Sequence, residues 1–345
     1  MKEREKIRDY LAYEFTDPIR DPLWNHIYLS PALKKVVATT AFQKLAGIKQ
    51  LGPTYLVYPG ATHTRLNHSL GVFSLARRVM RALVSFDTAG EFTEIGVRSF
   101  LCAALLHDLG HFPYAHSLKE LPLKDHECLT ALGVLDTPLA RVIDADAHAD
   151  PEMVAKIVDT TIDDHHSREI AVYRKILSGV LDPDKLDYLS RDAYFCGVPY
   201  GVQDIDFIIS KLRYHRSEGL VLDEQGLHAV ENVLFSKYLM YRSVYWHKAV
   251  RIATAMIKKA IYLAISSGRI QPEDLYGLDD NEFFSRYGDK RFSYAGLING
   301  VIQRQFYKSV WEMPFEPGNS FHERLKDLDT RARPVSYTHL RAHET

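Results

Sequence analysis

Residues 101–116 read LCAALLHDLGHFPYAH, an apolar helical run that stops on His107-Asp108 and is followed at once by Gly110, His111 and His116. Leaving a polar group without a partner at such depth costs roughly 2–7 kcal/mol on transfer scales. A bound metal ion removes that objection. Two further residues complete a ligand set: His68 lies in an earlier helical pattern and Asp184 opens a later one. Imidazole and carboxylate together suit Mn, Fe, Zn or Ni, with water filling the remaining positions. A metal with an open position lowers the pKa of its water towards about 7 and so produces hydroxide at neutral pH. An HD dipeptide alone is weak evidence; the order His68, His107-Asp108, Asp184 carries the signal.

The elements that must position these groups read mostly as helix. Residues 31–46 space Leu33, Val36, Val37, Ala41 and Leu45 at threes and fours, which predicts an amphipathic helix. Asn67 is predicted to cap a helix through Leu70, Phe73, Leu75 and Val79, and the helix bearing Leu101, Leu105 and Leu106 ends near Gly110. Further helices are expected over 152–159, 168–178 and 183–195. Residues 227–267 contain neither Pro nor Gly and predict one helix of about 40 residues, on the order of 60 Å long, suited to an interdomain spine or a dimer face. β structure is expected to be minor: a short piece at 55–58, and a hairpin in which 219–222 and Leu227-His228 flank a turn at 223–226. Pro272 and the 277–280 segment mark a weak boundary, giving a main body over 1–270 and a C-terminal helical region over 271–334. The last eleven residues, VSYTHLRAHET, resemble translated sequencing-adapter sequence and are set aside as a non-native tail over 335–345.

The chain has 345 residues, 46% hydrophobic and 25% charged, with a formal net charge of -1. That balance excludes a strongly basic nucleic-acid wrapper and an acidic disordered tail, while scattered basic residues leave single-strand nucleic acid binding undecided. The charged N-terminus lacks the apolar stretch of a signal peptide, and no segment approaches the roughly 20 apolar residues of a membrane span. Three separated cysteines, Cys102, Cys128 and Cys196, suggest neither a disulfide framework nor a CxxC metal site. A cytoplasmic location and no membrane contact are therefore expected.

The segments Ile48-Lys49-Gln50-Leu51-Gly52, Tyr58-Pro59-Gly60-Ala61, His63, Arg65, His68-Ser69-Leu70-Gly71, HDLGHFPYAH, His126-Glu127 and DPDKLDYLSRD over 182–192, with Tyr245-Trp246-His247-Lys248, span residues from about 17 to 260. This block pattern resembles the HD superfamily of metal-dependent phosphohydrolases, and within it the deoxynucleoside triphosphate triphosphohydrolases related to the SAM-and-HD-domain proteins. The resemblance implies an all-α HD-domain fold with minor short β-hairpins. It implies a divalent metal (Mn, Fe, Mg, Zn or Ni) on His68, His107, Asp108 and Asp184, and attack of metal-activated water on the α-phosphorus of a nucleotide substrate. His111, His116 and His126 would line the phosphate channel, with His116 or His126 as the general acid for the leaving 5′ oxygen. Arg65 would hold a phosphate with its fork of donors and Lys185 would neutralise phosphate charge. Tyr188 and Asp192 would contact the sugar, Gln50 and Leu51 would join them in substrate binding, and Tyr245 would form a platform on which a 2′-OH is a steric problem. The chain departs from animal relatives at Lys237, Tyr241 and Trp246, where those carry Arg, His and Gln, and at Lys119, where they carry an acid.

A homo-oligomer, dimer or tetramer, and a nucleotide effector are further expectations. Two other readings of the function stay open: a phosphodiesterase or nucleotide phosphatase using the same metal, and a non-catalytic nucleotide-sensing regulator. His165-His166 could hold a second metal, but the run Asp163-Asp164-His165-His166-Ser167 reads better as a solvated turn capping the next helix.

Overall fold

Three helices carry the expected ligands, and each begins where the sequence supplies a donor or acceptor for the free backbone groups of a helix end. In this computed structural model, which describes residues 2–85, 91–215, 219–309, 312–328 and 330, the first is Arg65–Ser85. Asn67 is not its cap: the Asn67 side chain sits in the first turn and reaches back to accept from the Thr64 backbone N–H and hydroxyl, both at 3.0 Å. The second, Glu94–Leu106, is capped by Thr93, whose hydroxyl accepts from Gly96 N, and every residue from 96 to 106 is buried. A helix buried all round belongs in the centre of a domain. The third, Pro183–Cys196, opens with Asp182 as cap and Pro183 in its first turn, and ends at Gly197 with φ 67°, the left-handed conformation that glycine adopts without cost. Arg65–Ser85 packs against both of the others, so His68 faces the end of one and the start of the other.

The fold is all-α, with two small antiparallel hairpins among the described residues. One pairs Asp17–Asp21 with Asn25–Leu29, with Ile19 opposite Ile27; it is too short, and Pro18 too disruptive, to have shown as a periodic strand. The other pairs Leu212–His215 with Gly219–Leu222. The expected partner Leu227-His228 instead begins the Leu227–Met240 helix. Residues 55–58 are not a strand: Gly52–Leu56 forms a 3-10 turn entered through Gly52 at φ 48°.

Two expected helices are broken without Gly or Pro. Residues 31–46 divide into Pro31–Val37, Thr40–Gln43 and the 3-10 turn Lys44–Gly47. Thr39 makes the break: its hydroxyl donates to Val36 O at 2.7 Å and accepts from Phe42 N, ending one helix and capping the next. The 40-residue helix divides into Leu227–Met240, the wider turn Tyr241–Tyr245 and Lys248–Ser266. Trp246 N bonds Tyr241 O, five residues back, and His247 Nδ1 then accepts from Ala249 N as the new cap. Such wide turns within helices are frequent at functional sites, and this one ends on Tyr245.

The main hydrophobic core runs through the first three helices and those around them. A second gathers on Lys248–Ser266, where Met256, Ile257 and Ile261 meet Phe283, Tyr287 and Ile298 of the C-terminal region, together with Phe112, Leu118 and Leu121. The region after 271 is thus packed against the loop that follows the HD dipeptide. Among the described residues no helix is long and apolar enough to cross a membrane. The cysteines Cys102, Cys128 and Cys196 are free, and residues 335–345 lie outside the described residues.

Candidate active site

His68, His107 and Asp184 each offer one ligand atom, and the three atoms lie within 4.8 Å of one another. His68 Nε2 is 2.9 Å from Asp184 Oδ1, and His107 Nε2 is 3.7 Å from the same oxygen. Asp108 closes the fourth side through both oxygens: Oδ1 is 3.4 Å from His107 Nε2 and Oδ2 is 3.9 Å from His68 Nε2. Residues separated by 116 positions are brought together by the packing of the Arg65–Ser85 and Pro183–Cys196 helices.

Both imidazoles are held by their far nitrogen. His68 Nδ1 donates to Asp187 Oδ2 at 2.8 Å, and His107 Nδ1 donates to Ala104 O at 3.0 Å. In each ring Nε2 is left pointing into the cluster, the arrangement by which outer hydrogen bonds orient metal-bound histidine. His107 Nε2 is buried and without a hydrogen-bond partner, an orphaned nitrogen of the kind that a metal would satisfy. The donor set fits a divalent ion.

Charge follows the same design. Burial pulls His68 down, but hydrogen bonds to Asp184 and Asp187 and the charge of Asp108 outweigh it and hold the imidazole up at about 10. Burial also opposes ionisation of Asp184 and Asp108, yet His107 and His68 beside the first, and His111 and Arg65 beside the second, keep both well below the usual carboxylate range. The cluster therefore holds protons where a cation of higher charge would replace them.

Three histidines form a second group on the far side of Asp108. His111, His116 and His126 offer nitrogens within 4.8 Å of one another. His111 Nε2 is 3.1 Å from His116 Nε2, and the His111 and His126 rings lie 3.9 Å apart. Burial, with Arg65 nearby, pushes His111 well below the ordinary imidazole value. Arg65 itself is turned to Asp108, with Nη1 donating to Oδ2 at 2.7 Å and Nε buried without a partner. Thr130 ties this side to the metal side: its hydroxyl donates to His107 O and accepts from Gly110 N at 2.8 Å. Gly110 is required there, because a Cβ would collide with His126 O and Thr130 N.

Of the expected substrate residues, Tyr188, Asp192 and Tyr245 form a third group. Tyr245 Oη donates to Asp192 Oδ2 at 2.7 Å, and its ring meets Tyr188 edge-on at 6.3 Å. Asp192 is 1% exposed and its other oxygen accepts from His63 Nε2 at 2.7 Å, so it stands behind Tyr245 with both oxygens engaged. Gln50 Oε1 is buried without a hydrogen-bond partner, and Leu51 packs on the core beside it. Lys185 is turned away from the cluster: its ammonium bonds Gly179 O and the Asp182 carboxylate at the start of its own helix. Of the departing residues, Tyr241 lies edge-on to Tyr245 and to Trp246, with the Lys237 ammonium 5.9 Å from its ring centre. His165 and His166 form the solvated turn expected of them, with their backbone N–H groups on Asp163 and Asp164.

An HD domain profile matches residues 65–192, and an HD-associated region matches 203–333. The chain is 32% identical over 329 residues to an uncharacterized protein, YwfO, of Bacillus subtilis, covering 88% of this chain and 74% of that protein. This chain belongs to the HD superfamily of metal-dependent phosphohydrolases. A crystal structure of a phosphohydrolase from Bacteroides thetaiotaomicron superposes with a TM-score of 0.70 at 26% identity, over 86% of this chain and 79% of that one. The HD phosphohydrolase is also 26% identical over 356 residues to the deoxynucleoside triphosphate triphosphohydrolase SAMHD1 of Danio rerio. That match takes in 85% of this chain and 57% of the fish protein.

Four residues of this HD phosphohydrolase's site escape a reading by motif. Asp187 is buried and orients His68; it lies in the 182–192 segment one helical turn after Asp184, and nothing in that segment marks it as the partner of His68. Arg191 holds Asp187 with Nε at 2.8 Å and Nη2 at 3.0 Å, and reaches Asp21 with Nη1. Thr130 leaves no trace in the sequence. His63 sits in a quoted segment, but nothing in the sequence places it on Asp192.

Proposed function

We propose that this HD phosphohydrolase hydrolyses deoxynucleoside triphosphates at the α-phosphorus, releasing deoxynucleoside and intact triphosphate. The observation that supports the reading is that the metal-ligand set has distinct neighbours: the histidine cluster adjoins it at Asp108, with His111 Nδ1 3.2 Å from Oδ1, and Tyr188, one helical turn after Asp184, meets Tyr245. A triphosphate on the first side and a sugar on the second would suit such neighbours. The likeness to a fish protein named as a deoxynucleoside triphosphate triphosphohydrolase supports the same substrate.

His68, His107, Asp108 and Asp184 would hold a divalent ion, which would supply Lewis acidity towards water and the phosphoryl oxygens. Arg65, with Nε unpartnered, adds a fixed positive charge beside the reacting phosphate while keeping Asp108 ionised. Water adds to the α-phosphorus as the bond to the 5′ oxygen breaks; that oxygen takes a proton from His116 or His126, and the proton released by the water passes to solvent, from which the histidine is recharged. Burial holds both imidazoles below their ordinary value, so the donor carries its proton only with the negative charge of the triphosphate beside it. Lys185 reaches phosphate only by leaving Asp182, so its contribution depends on substrate. Gln50 offers its free amide oxygen to a sugar hydroxyl, and Tyr188 and Tyr245 form the sugar wall. The exposed Leu234, Phe235 and Tyr238 on the Leu227–Met240 helix support assembly into a homo-oligomer.

Purified protein incubated with each dNTP and NTP and Mn²⁺, with products resolved by chromatography, tests the reading. Triphosphate and deoxynucleoside in equal amounts are expected. Monophosphate or inorganic phosphate in their place would establish the phosphodiesterase or phosphatase reading, and no product distinguishable from a His107→Ala control would overturn both.

A further inference from the structure

His63 is bonded to Asp192 and to the Gln50 backbone, and through Asp192 it reaches Tyr245. Its Nε2–H donates to Asp192 Oδ1 at 2.7 Å, and Asp192 Oδ2 in turn accepts from Tyr245 Oη at 2.7 Å. Its backbone carbonyl accepts from Gln50 N at 3.0 Å. The imidazole is 3% exposed and stacks on Phe195, with ring centres 4.6 Å apart and planes 27° from parallel. His63 Nδ1 is buried with no hydrogen-bond partner, so the ring is held by stacking and by the single bond to Asp192. A buried carboxylate with one oxygen unpaired would be free to rotate or take up water; with both oxygens claimed it has one orientation. The Tyr245 phenol inherits that orientation. Burial, with Asp192 opposite, raises its pKa well above the usual phenol value, so it remains a donor throughout the working range.

We infer that His63 is the positioning residue of the sugar wall: it clamps Asp192, and through Asp192 the Tyr245 ring, so that the wall distinguishes a deoxyribose from a ribose. The inference rests on the proposed nucleotide triphosphohydrolase function. His63 touches no substrate atom itself. A rigid aromatic wall excludes an added hydroxyl by having no room to move, and a hydrophobic face rejects such an isostere weakly once it can shift. The clamp therefore bears on discrimination more than on the chemical step. Gln50, whose backbone His63 also fixes, presents its unpartnered amide oxygen from the same segment, so one residue sets two of the groups that surround the sugar.

The test compares kcat and KM for a dNTP and the matching NTP in wild type, His63→Leu and His63→Gln, all loaded with Mn²⁺. Leucine removes the donor and keeps the bulk; glutamine restores an N–H near the position of Nε2. His63→Leu is expected to raise KM for the dNTP about tenfold with kcat changed less, and to reduce the ratio of dNTP to NTP kcat/KM about tenfold, the low end of the roughly 10- to 200-fold that such a pocket contributes. His63→Gln is expected to recover most of the ratio. Tyr245→Phe, which leaves His63 in place and cuts the chain at the phenol, is expected to reproduce the loss, and adding His63→Leu to it should cost little more. A folded His63→Leu protein with the wild-type ratio overturns the clamp and leaves the proposed function standing. Should His63→Leu fail to fold, a wild-type ratio in both His63→Gln and Tyr245→Phe overturns it equally. Absence of nucleotide turnover in the wild type overturns the proposed function, and the sugar assignment with it.

Discussion

His68 and Asp187 are joined by a 2.8 Å hydrogen bond from imidazole Nδ1 to carboxylate Oδ2, and neither side chain is more than 1% exposed. Asp187 takes further bonds from Arg191 Nε and from Trp24 Nε1. Burial raises its pKa, but Arg191 and His68 more than compensate and bring it down to about 2. It is therefore an anion at any working pH, and the Nδ1–H of His68 stays pointed at it. That leaves Nε2 as the nitrogen available to a metal.

Replacing this anchor should loosen the metal before it stops the chemistry. Asp187→Asn keeps the shape but removes the charge, and is expected to weaken metal affinity about 10- to 100-fold, the usual range for such outer partners. Titration of the chelated protein with Mn²⁺ reads this directly. Activity at saturating metal should recover substantially; unchanged affinity would show that Asp187 serves Arg191 alone.

Gly71 lies one helical turn beyond His68 and faces the same anchor. A Cβ there would overlap Asp187 Oδ1 and Arg191 Nη2, neither of which has room to retreat. Gly71→Ala is expected to cost about 1–3 kcal/mol by overpacking, despite alanine's better helix propensity. Thermal unfolding checks the sign: a rise in Tm would mean that the two helices separate more easily than their packing implies.

The chelated protein should be most stable near pH 6.5, the ordinary imidazole value. Burial and Arg65 keep His111 neutral in the folded chain, so as pH falls below 6.5 only the unfolded state takes that proton and stability drops. His68 works in the opposite sense: its folded pKa of about 10 gives stability that is complete below 6.5 and is lost as pH rises to 10. Each group contributes a slope of about 1.4 kcal/mol per pH unit while only one state holds its proton. Metal loading should flatten the alkaline side, since the ion then takes the place of the proton. Unfolding curves from pH 4 to 9, with and without chelator, provide the measurement.

Arg65→Lys should not behave as a conservative change. A lysine keeps the charge but loses the fork that reaches Asp108 with Nη1 and leaves a second donor, Nε, unpartnered. Activity is expected to fall by about 10²–10³, the range for removing one fixed donor from a developing charge, with little change in Tm. Wild-type kcat/KM in this variant would place Arg65 outside the phosphate path.

Much of the site was legible from residue order. His107-Asp108 at the end of an apolar helix, His68 before it and Asp184 just after the Asp182 cap and Pro183 are local signals, because the need for polar partners at depth is written in the hydrophobic pattern itself. The helices over 168–177 and 183–196 were legible for the same reason, having clear caps. The breaks at Thr39 and Trp246-His247 were not, since a threonine hydroxyl and a histidine ring can cap a helix or lie along one, and the choice depends on what each packs against.

By itself the sequence determined which groups could bind a metal and that helices would carry them, for ligand chemistry and hydrophobic period are properties of residues and their spacing. Only the tertiary structure decided which partners those groups have. It put Arg65 on Asp108, Lys185 on Asp182, Asp187 on His68 and His63 on Asp192. Each of these is a hydrogen bond whose partner is chosen by distance and angle across a helix interface. Distance and angle across such an interface are fixed by packing, which no spacing along the chain encodes.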